Sequence, residues 1–206
     1  GTLYGRNTIG GAVKYVTRKM GPNTELRLKA SVGSYGQMDG VLTASTALSE
    51  TVRVGGTLAK FKRNGFGQDF TTGEDNYNKA ISAARLSAEF MPNSALFIRI
   101  SADTSQDDSN AKHGHRLTVG KISGAPILGN VYDTRANLNT VLGHKQQVTQ
   151  SGVSALVEYQ IEPDLMFKSV TASRHDKSFA PIDFDSLGTV DFDVPALYKN
   201  KQFSQE

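Results

Sequence analysis

Apolar and polar residues alternate with a period of two along most of this chain. The segment Glu25–Gly33 shows the pattern clearly. One side of an extended strand would carry Leu26, Leu28, Ala30 and Val32. The intervening positions are Arg27, Lys29 and Ser31. Because successive side chains of a β-strand point to opposite faces, this period predicts an amphipathic strand.

Seven further segments follow the same pattern, with turn residues between them. The predicted strands are about Met38–Leu48, Thr51–Lys62, Lys79–Phe90, Ala95–Ser105, Val148–Ile161 and Leu165–Arg174, and the start of another at Lys201–Glu206. Short turns such as Met91–Ser94 and Glu162–Asp164 reverse the chain, so neighbouring strands should be antiparallel. The sequence therefore predicts an all-β antiparallel fold of about eight strands.

The connections between these strands alternate between short and long. The longest runs from Gln106 to Gln147, about forty residues, which is too long for an ordinary loop. A polar, proline-containing stretch from His175 to Lys199 is another predicted connection. Outer-membrane β-barrels have short turns at one rim and long loops at the other. A soluble antiparallel sandwich also has alternating strands, with its polar face in water, so alternation alone leaves both folds open.

In a membrane barrel the two faces of each strand would meet different surroundings, because hydrocarbon offers no partner for a charge. The residues expected to face lipid are Leu96, Ile98, Ile100, Val153, Val157 and Ile161. The charged residues expected to face the lumen, as candidates for ion pairs, are Arg85, Glu89, Arg99, Asp103 and Glu158.

The first residues of the chain carry a more specific motif. Gly10 and Gly11 are expected to form a tight turn, and Ala12–Thr17 a short strand. The motif consists of Tyr4, Gly5, Arg6, Asn7, Gly10, Gly11, Ala12 and Val13. It resembles the plug-to-barrel junction of TonB-dependent outer-membrane receptors, in which a globular plug sits inside a large β-barrel.

This resemblance implies a division of the chain into two parts. Residues 1–20 would be the C-terminal end of the plug, and residues 21–206 the N-terminal part of an incomplete transmembrane β-barrel. The family barrel has roughly 22 strands, so about eight strands are a fragment of it. In the family motif, Gly5, Arg6, Asn7, Gly10 and Gly11 would fix the last plug strand against the barrel wall. Arg6 is expected to pair with Glu89 or Glu158.

The resemblance also implies a function, a location and partners. The expected function is energised uptake of a scarce solute across the bacterial outer membrane, in the first place a ferric siderophore or other iron chelate. The expected partners are the TonB energy-transducing complex, reached through an N-terminal box missing from this sequence, outer-membrane lipid and a small-molecule metal chelate. A passive porin-like channel or an adhesin on a similar barrel remains an alternative. A full plug with a TonB box before Gly1 would decide for energised uptake.

Composition narrows the function classes further. The net charge of +3 arises from basic residues scattered among 20 acidic ones, which argues against a nucleic-acid partner. The chain has no cysteine, so thiol catalysis and disulfides are excluded. No nucleophile elbow, zinc-protease helix or phosphate loop is present, so we expect neither an enzyme nor a cofactor.

The long connection supplies the candidate ligand residues. His113, His115 and Arg116 offer hydrogen-bond donors that suit an anionic chelate. Two histidines in an H-x-H pair without a third ligand are poorly specific for a metal, so no metal site is predicted. A connection that only shields the mouth of a barrel is the competing interpretation.

Overall fold

The computed structural model describes residues 16–122, 124, 126–127, 129–134, 143–187 and 192–206. Within these residues the secondary structure consists of strands. They are β1 (Glu25–Gly33), β2 (Gln37–Ala47), β3 (Val52–Arg63), β4 (Gly67–Gln68), β5 (Asp75–Asn76), β6 (Lys79–Phe90), β7 (Leu96–Asp107), β8 (Gln147–Glu162), β9 (Leu165–Asp183) and β10 (Asp193–Gln205).

Eight of these strands form one antiparallel sheet in the order β1-β2-β3-β6-β7-β8-β9-β10. The short strands β4 and β5 pair with each other inside the connection between β3 and β6. The all-β, antiparallel prediction is thus confirmed, and the large sheet is open, with β1 and β10 at its edges. In the part of the chain that is described, no helix is long and apolar enough to cross a membrane.

The predicted bounds of the first six strands agree with the structure to within two residues, but the last two predicted strands are too short. β9 continues to Asp183, and β10 already begins at Asp193, so the predicted connection from His175 to Lys199 is mostly strand. Here the alternation that marks a half-buried strand is lost, because residues 179–182 and 194–198 are consecutive apolar runs that each contain a proline. Main-chain pairing of β9 with β10 extends the ladder, because backbone hydrogen bonds need no apolar face.

The large sheet exposes its apolar face and buries part of its polar face. On the apolar face, Val32 is 83% exposed and Leu86 is 70% exposed. On the opposite face, Glu89 is 1% exposed and Arg99 is 7% exposed. This burial is the reverse of that in a water-soluble protein, where charged residues are almost never fully buried unless paired.

The buried residues are correspondingly polar. Among the described residues, the buried apolar side chains are Phe97, Ala111 and Pro181. The buried polar or charged ones are Asp69, Asn76, Glu89, Arg99, Ser101, Ser109, Asn110, His113, Thr134 and Asp183. No second sheet of comparable size covers the apolar face in the described ranges, so the sheet lacks the packed layer that a sandwich needs.

The two rims of the sheet differ. At one rim, short turns join β2 to β3, β6 to β7 and β8 to β9. The Asn93 side-chain oxygen accepts hydrogen bonds from the N–H groups of Ala95 and Leu96, at 3.0 Å each, and so shapes the β6–β7 turn. The connections 64–78 and 108–146 both lie at the opposite rim, where their described residues contact each other. We call them the loop layer.

Candidate functional site

Residues 16–20, which we call the strap, lie across the polar face near the short-turn rim. The Arg99 guanidinium donates to the carbonyl oxygens of Thr17 and Arg18, at 3.1 and 3.0 Å. The Met20 N–H donates to Glu89 Oε2 at 3.0 Å, and Arg53 donates to the Met20 carbonyl. These contacts bind the main chain of the strap, so they hold it in place whatever its side chains are.

The strand register brings the three clamping side chains together. Arg53 of β3 lies directly opposite Glu89 of β6, which lies directly opposite Arg99 of β7. Arg53, Glu89 and Arg99 therefore form one row across three strands, which we call the inner clamp. Because residues directly opposite in a sheet share a face, these long side chains can reach the same strap.

The pair at the centre of the inner clamp is buried and well bonded. Arg99 Nε and Nη2 donate to Glu89 Oε1 at 2.9 and 2.6 Å, while Oε2 receives the strap N–H. Both carboxylate oxygens therefore have a donor. A buried ion pair is tolerated only when its remaining hydrogen-bonding capacity is satisfied in this way.

A second set of contacts fixes Lys19 of the strap. Its ammonium lies 2.7 Å from Glu158 Oε2 and 4.0 Å from the centre of the Phe97 ring. Lys168 binds the other Glu158 oxygen at 2.8 Å. Below the strap the wall is lined by small residues, and a Cβ added to Gly55 would stand 2.9 Å from the Met20 sulfur. The close approach of the strap therefore depends on the small size of the wall residues.

The structure places the five charged candidates Arg85, Glu89, Arg99, Asp103 and Glu158 on one face of the sheet. Glu89 and Arg99 pair directly, as described. Arg85 lies opposite Asp103 in the ladder, but the Asp103 carboxylate is bound by Arg174 of β9 at 2.8 and 3.2 Å.

The predicted apolar residues Leu96, Ile98, Ile100, Val153 and Val157 share the opposite face. Ile161, near the bulge at the end of β8, is also exposed.

The plug-motif residues Gly5, Arg6, Asn7, Gly10 and Gly11 lie outside the described residues. The pairing of Arg6 with Glu89 or Glu158 therefore stays a prediction. In the described part of the chain, Glu89 is bound by Arg99 and the strap, and Glu158 by Lys19 and Lys168.

The structure places His113, His115 and Arg116 in the loop layer, where each contacts a different partner. The His113 carbonyl accepts a hydrogen bond from the Tyr77 hydroxyl at 3.1 Å. His115 Nδ1 lies 2.8 Å from the Asp133 carbonyl oxygen. Arg116 donates to the Asp185 carbonyl, just beyond the end of β9. His113 and Arg116 tie the long connection to its neighbours, whereas His115 and Asp133 both belong to it. His113 is itself buried.

An aromatic cluster joins the two connections of the loop layer to the turn between β1 and β2, at the same rim. The Phe66 ring stacks on Tyr77 at 5.1 Å and meets Tyr132 edge-on at 5.2 Å and Tyr35 at 5.8 Å. Tyr35 and Tyr77 adopt left-handed φ angles of 59° and 63°, which residues other than glycine rarely adopt. The contacts of these rings offset the local backbone strain.

Two buried polar residues extend this joint. Thr134 is fully buried, and its side chain accepts a hydrogen bond from the Asn76 amide. Its main chain bonds to Gln68 and Phe70, at 3.0 and 2.9 Å, so the long connection adds a bridge beside β4. The loop layer is therefore an ordered unit held by polar as well as aromatic contacts.

Gly67→Ala is expected to disrupt the loop layer while leaving the large sheet folded. A Cβ at this position would lie 2.2 Å from the Tyr132 carbonyl oxygen, so the two connections must separate, at a cost of about 1–3 kcal/mol. Hydrogen exchange at Phe70 and Thr134 measures the effect. Gly114→Ala is the matched control, since a Cβ there meets nothing within 4 Å. Equal protection from exchange in both variants would contradict the close packing of Gly67 against Tyr132.

Lowering the pH is expected to loosen the loop layer through His113. Burial lowers the pKa of His113 below its ordinary value of about 6.5, although the nearby Asp69 opposes the shift. The unfolded segment then binds a proton before the folded one does. The stability contributed by neutral His113 is present above about pH 6.5 and is lost as the pH falls below it.

Hydrogen exchange at Ala111 between pH 7 and pH 5, corrected for intrinsic rates, checks this dependence. His113→Gln should flatten it, and His115→Gln should leave it in place. A dependence that survives His113→Gln would assign it to another group.

Sequence reasoning missed several residues of the site. Arg53 and Lys19 could not be identified from the sequence, because a single basic residue in a strand or before the first strand has no local signature. Thr134 and Asn76 are equally ordinary in sequence. The one usable signal was for Glu89 and Arg99, which are charges at alternating positions of two neighbouring predicted strands.

Chemically, the inner clamp binds the main chain of a segment laid across it. Over the described residues, no group of three or more His, Asp or Glu side chains is arranged to hold a metal ion. Comparison of the chain with protein-family models, with curated proteins and with solved structures gave no match. Any function must therefore be argued from the geometry and from the motif at the start of the sequence.

Proposed function

We propose that this chain is part of a TonB-dependent outer-membrane receptor, with β1 to β3 and β6 to β10 forming one section of its barrel wall and the strap forming the end of its plug. The observation that carries the proposal is the reversed burial of the sheet. Its apolar face is open, while its charged face holds a segment of the same chain.

The hydrophobic effect supports lipid as the surroundings of the apolar face. Leu26, Leu28, Val32, Leu86 and Ile100 are each more than half exposed on one continuous face. In water each such side chain would forgo about 1.5–3 kcal/mol of burial free energy. In hydrocarbon the same side chains are solvated, and the 9 to 12 residues of strands β1, β2, β3, β6 and β7 match the length of tilted membrane strands.

The position of the strap supports a plugged rather than an open barrel. The inner clamp lies near the short-turn rim, because Arg53 is the second residue of β3 and Glu89 is the next-to-last residue of β6. A chain leaving a periplasmic plug would enter the wall at this rim. An empty pore has no need of a buried ion pair that binds a main-chain segment.

The proposed activity is energised uptake of a scarce solute, a ferric siderophore or other iron chelate being the class that the sequence motif implies. In this orientation the loop layer faces the cell exterior, and His113, His115 and Arg116 belong to the entrance. The inner clamp would keep the last plug residues in place while the rest of the plug is moved by the TonB complex.

Spin labels test the proposal directly, since the chain has no native cysteine to interfere. Ile98→Cys and Val157→Cys place nitroxides on the apolar face, and Ser105→Cys places one on the polar face of the same strand as Ile98. In the protein reconstituted into phospholipid vesicles, the first two labels should be quenched by oxygen and the third by a water-soluble nickel complex.

Equal accessibility of all three labels to the nickel complex would reject the membrane assignment. Lipid contact at the two apolar positions, combined with uptake that persists after TonB is removed, would retain the barrel but favour the passive channel.

A further inference from the structure

A cavity of about 240 Å³ lies between the strap and the polar face. Its wall includes Arg27, Thr43, Thr57 and Arg85, which the strand register places in one row across β1, β2, β3 and β6. The Thr43 and Thr57 hydroxyls lie 3.1 Å apart. The row thus presents two hydroxyls between two guanidinium groups, one row farther from the short-turn rim than Ser45, Gly55 and Ser87.

The two guanidinium groups of this row are not neutralised. In the described residues, neither Arg27 nor Arg85 has an ion pair or a side-chain hydrogen bond. The acidic residues nearby are already bound: Glu25 by Arg18 at 2.6 Å, Glu89 by Arg99, and Asp103, which lies opposite Arg85 in the ladder, by Arg174 at 2.8 Å. Residues 1–15 contain no aspartate or glutamate, so they offer no carboxylate either.

We propose that this row is a binding site for a small anion carrying at least two carboxylate or phosphate groups. Arginine forks recognise both groups with paired, charge-assisted hydrogen bonds. Three strand spacings separate the Arg27 and Arg85 main chains, about 14 Å, and the long side chains reach inward from both ends. A ligand with two or more anionic groups can engage both forks, whereas a monoanion engages one.

The site lies beside the strap, on the wall of the proposed lumen. Binding itself goes beyond the proposed function and needs only the inner face and the strap. The further statement that the bound anion is a solute in transit past the plug rests on the proposed function.

Calorimetric titration of the full chain, folded into uncharged detergent micelles, tests the site with citrate as the probe. Citrate should bind, and acetate at equal ionic strength should bind far more weakly. Arg27→Gln and Arg85→Gln should each weaken citrate binding about tenfold or more, the loss expected for one charge-assisted contact. Both side chains lack partners, so neither change should affect folding, which the β-sheet circular dichroism signal checks.

Lys29→Gln is the matched control, because it removes one cation from the same face of β1 without touching the cavity wall. It should leave the citrate affinity unchanged. No citrate binding by the unaltered chain, or equal weakening by Lys29→Gln and Arg85→Gln, would overturn the site. Inorganic phosphate, which carries a single anionic group, should bind more weakly than citrate if the site requires two groups.

The spin-label measurement fails or succeeds independently of this titration. Lipid contact without citrate binding would retain the receptor and remove the site. Citrate binding without lipid contact would retain the site and remove the transport role.

Discussion

Glu89→Ala is expected to destabilise the protein by about 3–5 kcal/mol and to release the strap. The substitution leaves the buried Arg99 guanidinium without its carboxylate and removes the acceptor of the Met20 N–H. Arg99 is buried and the Met20 N–H is partly buried, so water replaces the lost bonds poorly. Urea unfolding in micelles measures the stability, and trypsin cleavage after Arg18 and Lys19 measures the release of the strap.

Two variants separate the ion pair from its action on the strap. Glu162→Ala removes an exposed carboxylate at the end of β8 and should change neither measurement. The double variant Glu89→Leu with Arg99→Met replaces the buried pair by apolar side chains, which is often neutral for stability. In that variant we expect near-native unfolding together with rapid tryptic cleavage of the strap. A strap that stays resistant in both Glu89 variants would show that the inner clamp does not hold it.

Leu86→Arg is expected to cost about 2–4 kcal/mol when the protein is unfolded from phospholipid vesicles. Leu86 is exposed on the apolar face, between Gly56 and Ala102 in the ladder, where a charge would lie in hydrocarbon. If that face were in water, replacing an already exposed leucine would change stability by less than about 0.5 kcal/mol. The change in unfolding free energy caused by this one substitution therefore distinguishes hydrocarbon from water at the apolar face.

Ser82→Arg is the matched control for this prediction. Ser82 lies on the same strand and the same face, four residues nearer the loop layer, opposite Lys60. Near the membrane interface the cost of a charge falls to about 0–1 kcal/mol. Equal costs at Leu86 and Ser82 would contradict a membrane boundary between them.

The proposed mechanism depends on the combination of a fixed strap and a polar wall. The inner clamp binds main-chain atoms, so it holds the strap while leaving the strap side chains free to contact the wall, as Lys19 does with Glu158. Arg27 and Arg85, which form no ion pair among the described residues, stand beside this fixed segment. An anion moving along the wall would meet them before it passes the short-turn rim.

The local pattern of the sequence determined the strands and their faces through β8. Leu26 and Arg27, or Ile98 and Arg99, are assigned to opposite faces by the two-residue period alone, because the pleat of a strand fixes the direction of each side chain. The turn residues at Asn93 and Pro163 set where the chain reverses. These features depend on neighbours in sequence, so they are visible without a fold.

The partners of these side chains were decided only by the tertiary structure. Glu89 binds Arg99 and the strap. Asp103 binds Arg174 rather than Arg85, which lies opposite it in the ladder. The extension of β9 and β10 and the burial of Thr134 likewise could not be predicted from the sequence. Such contacts join residues tens of positions apart, and they follow from strand register and loop packing, which no local period encodes.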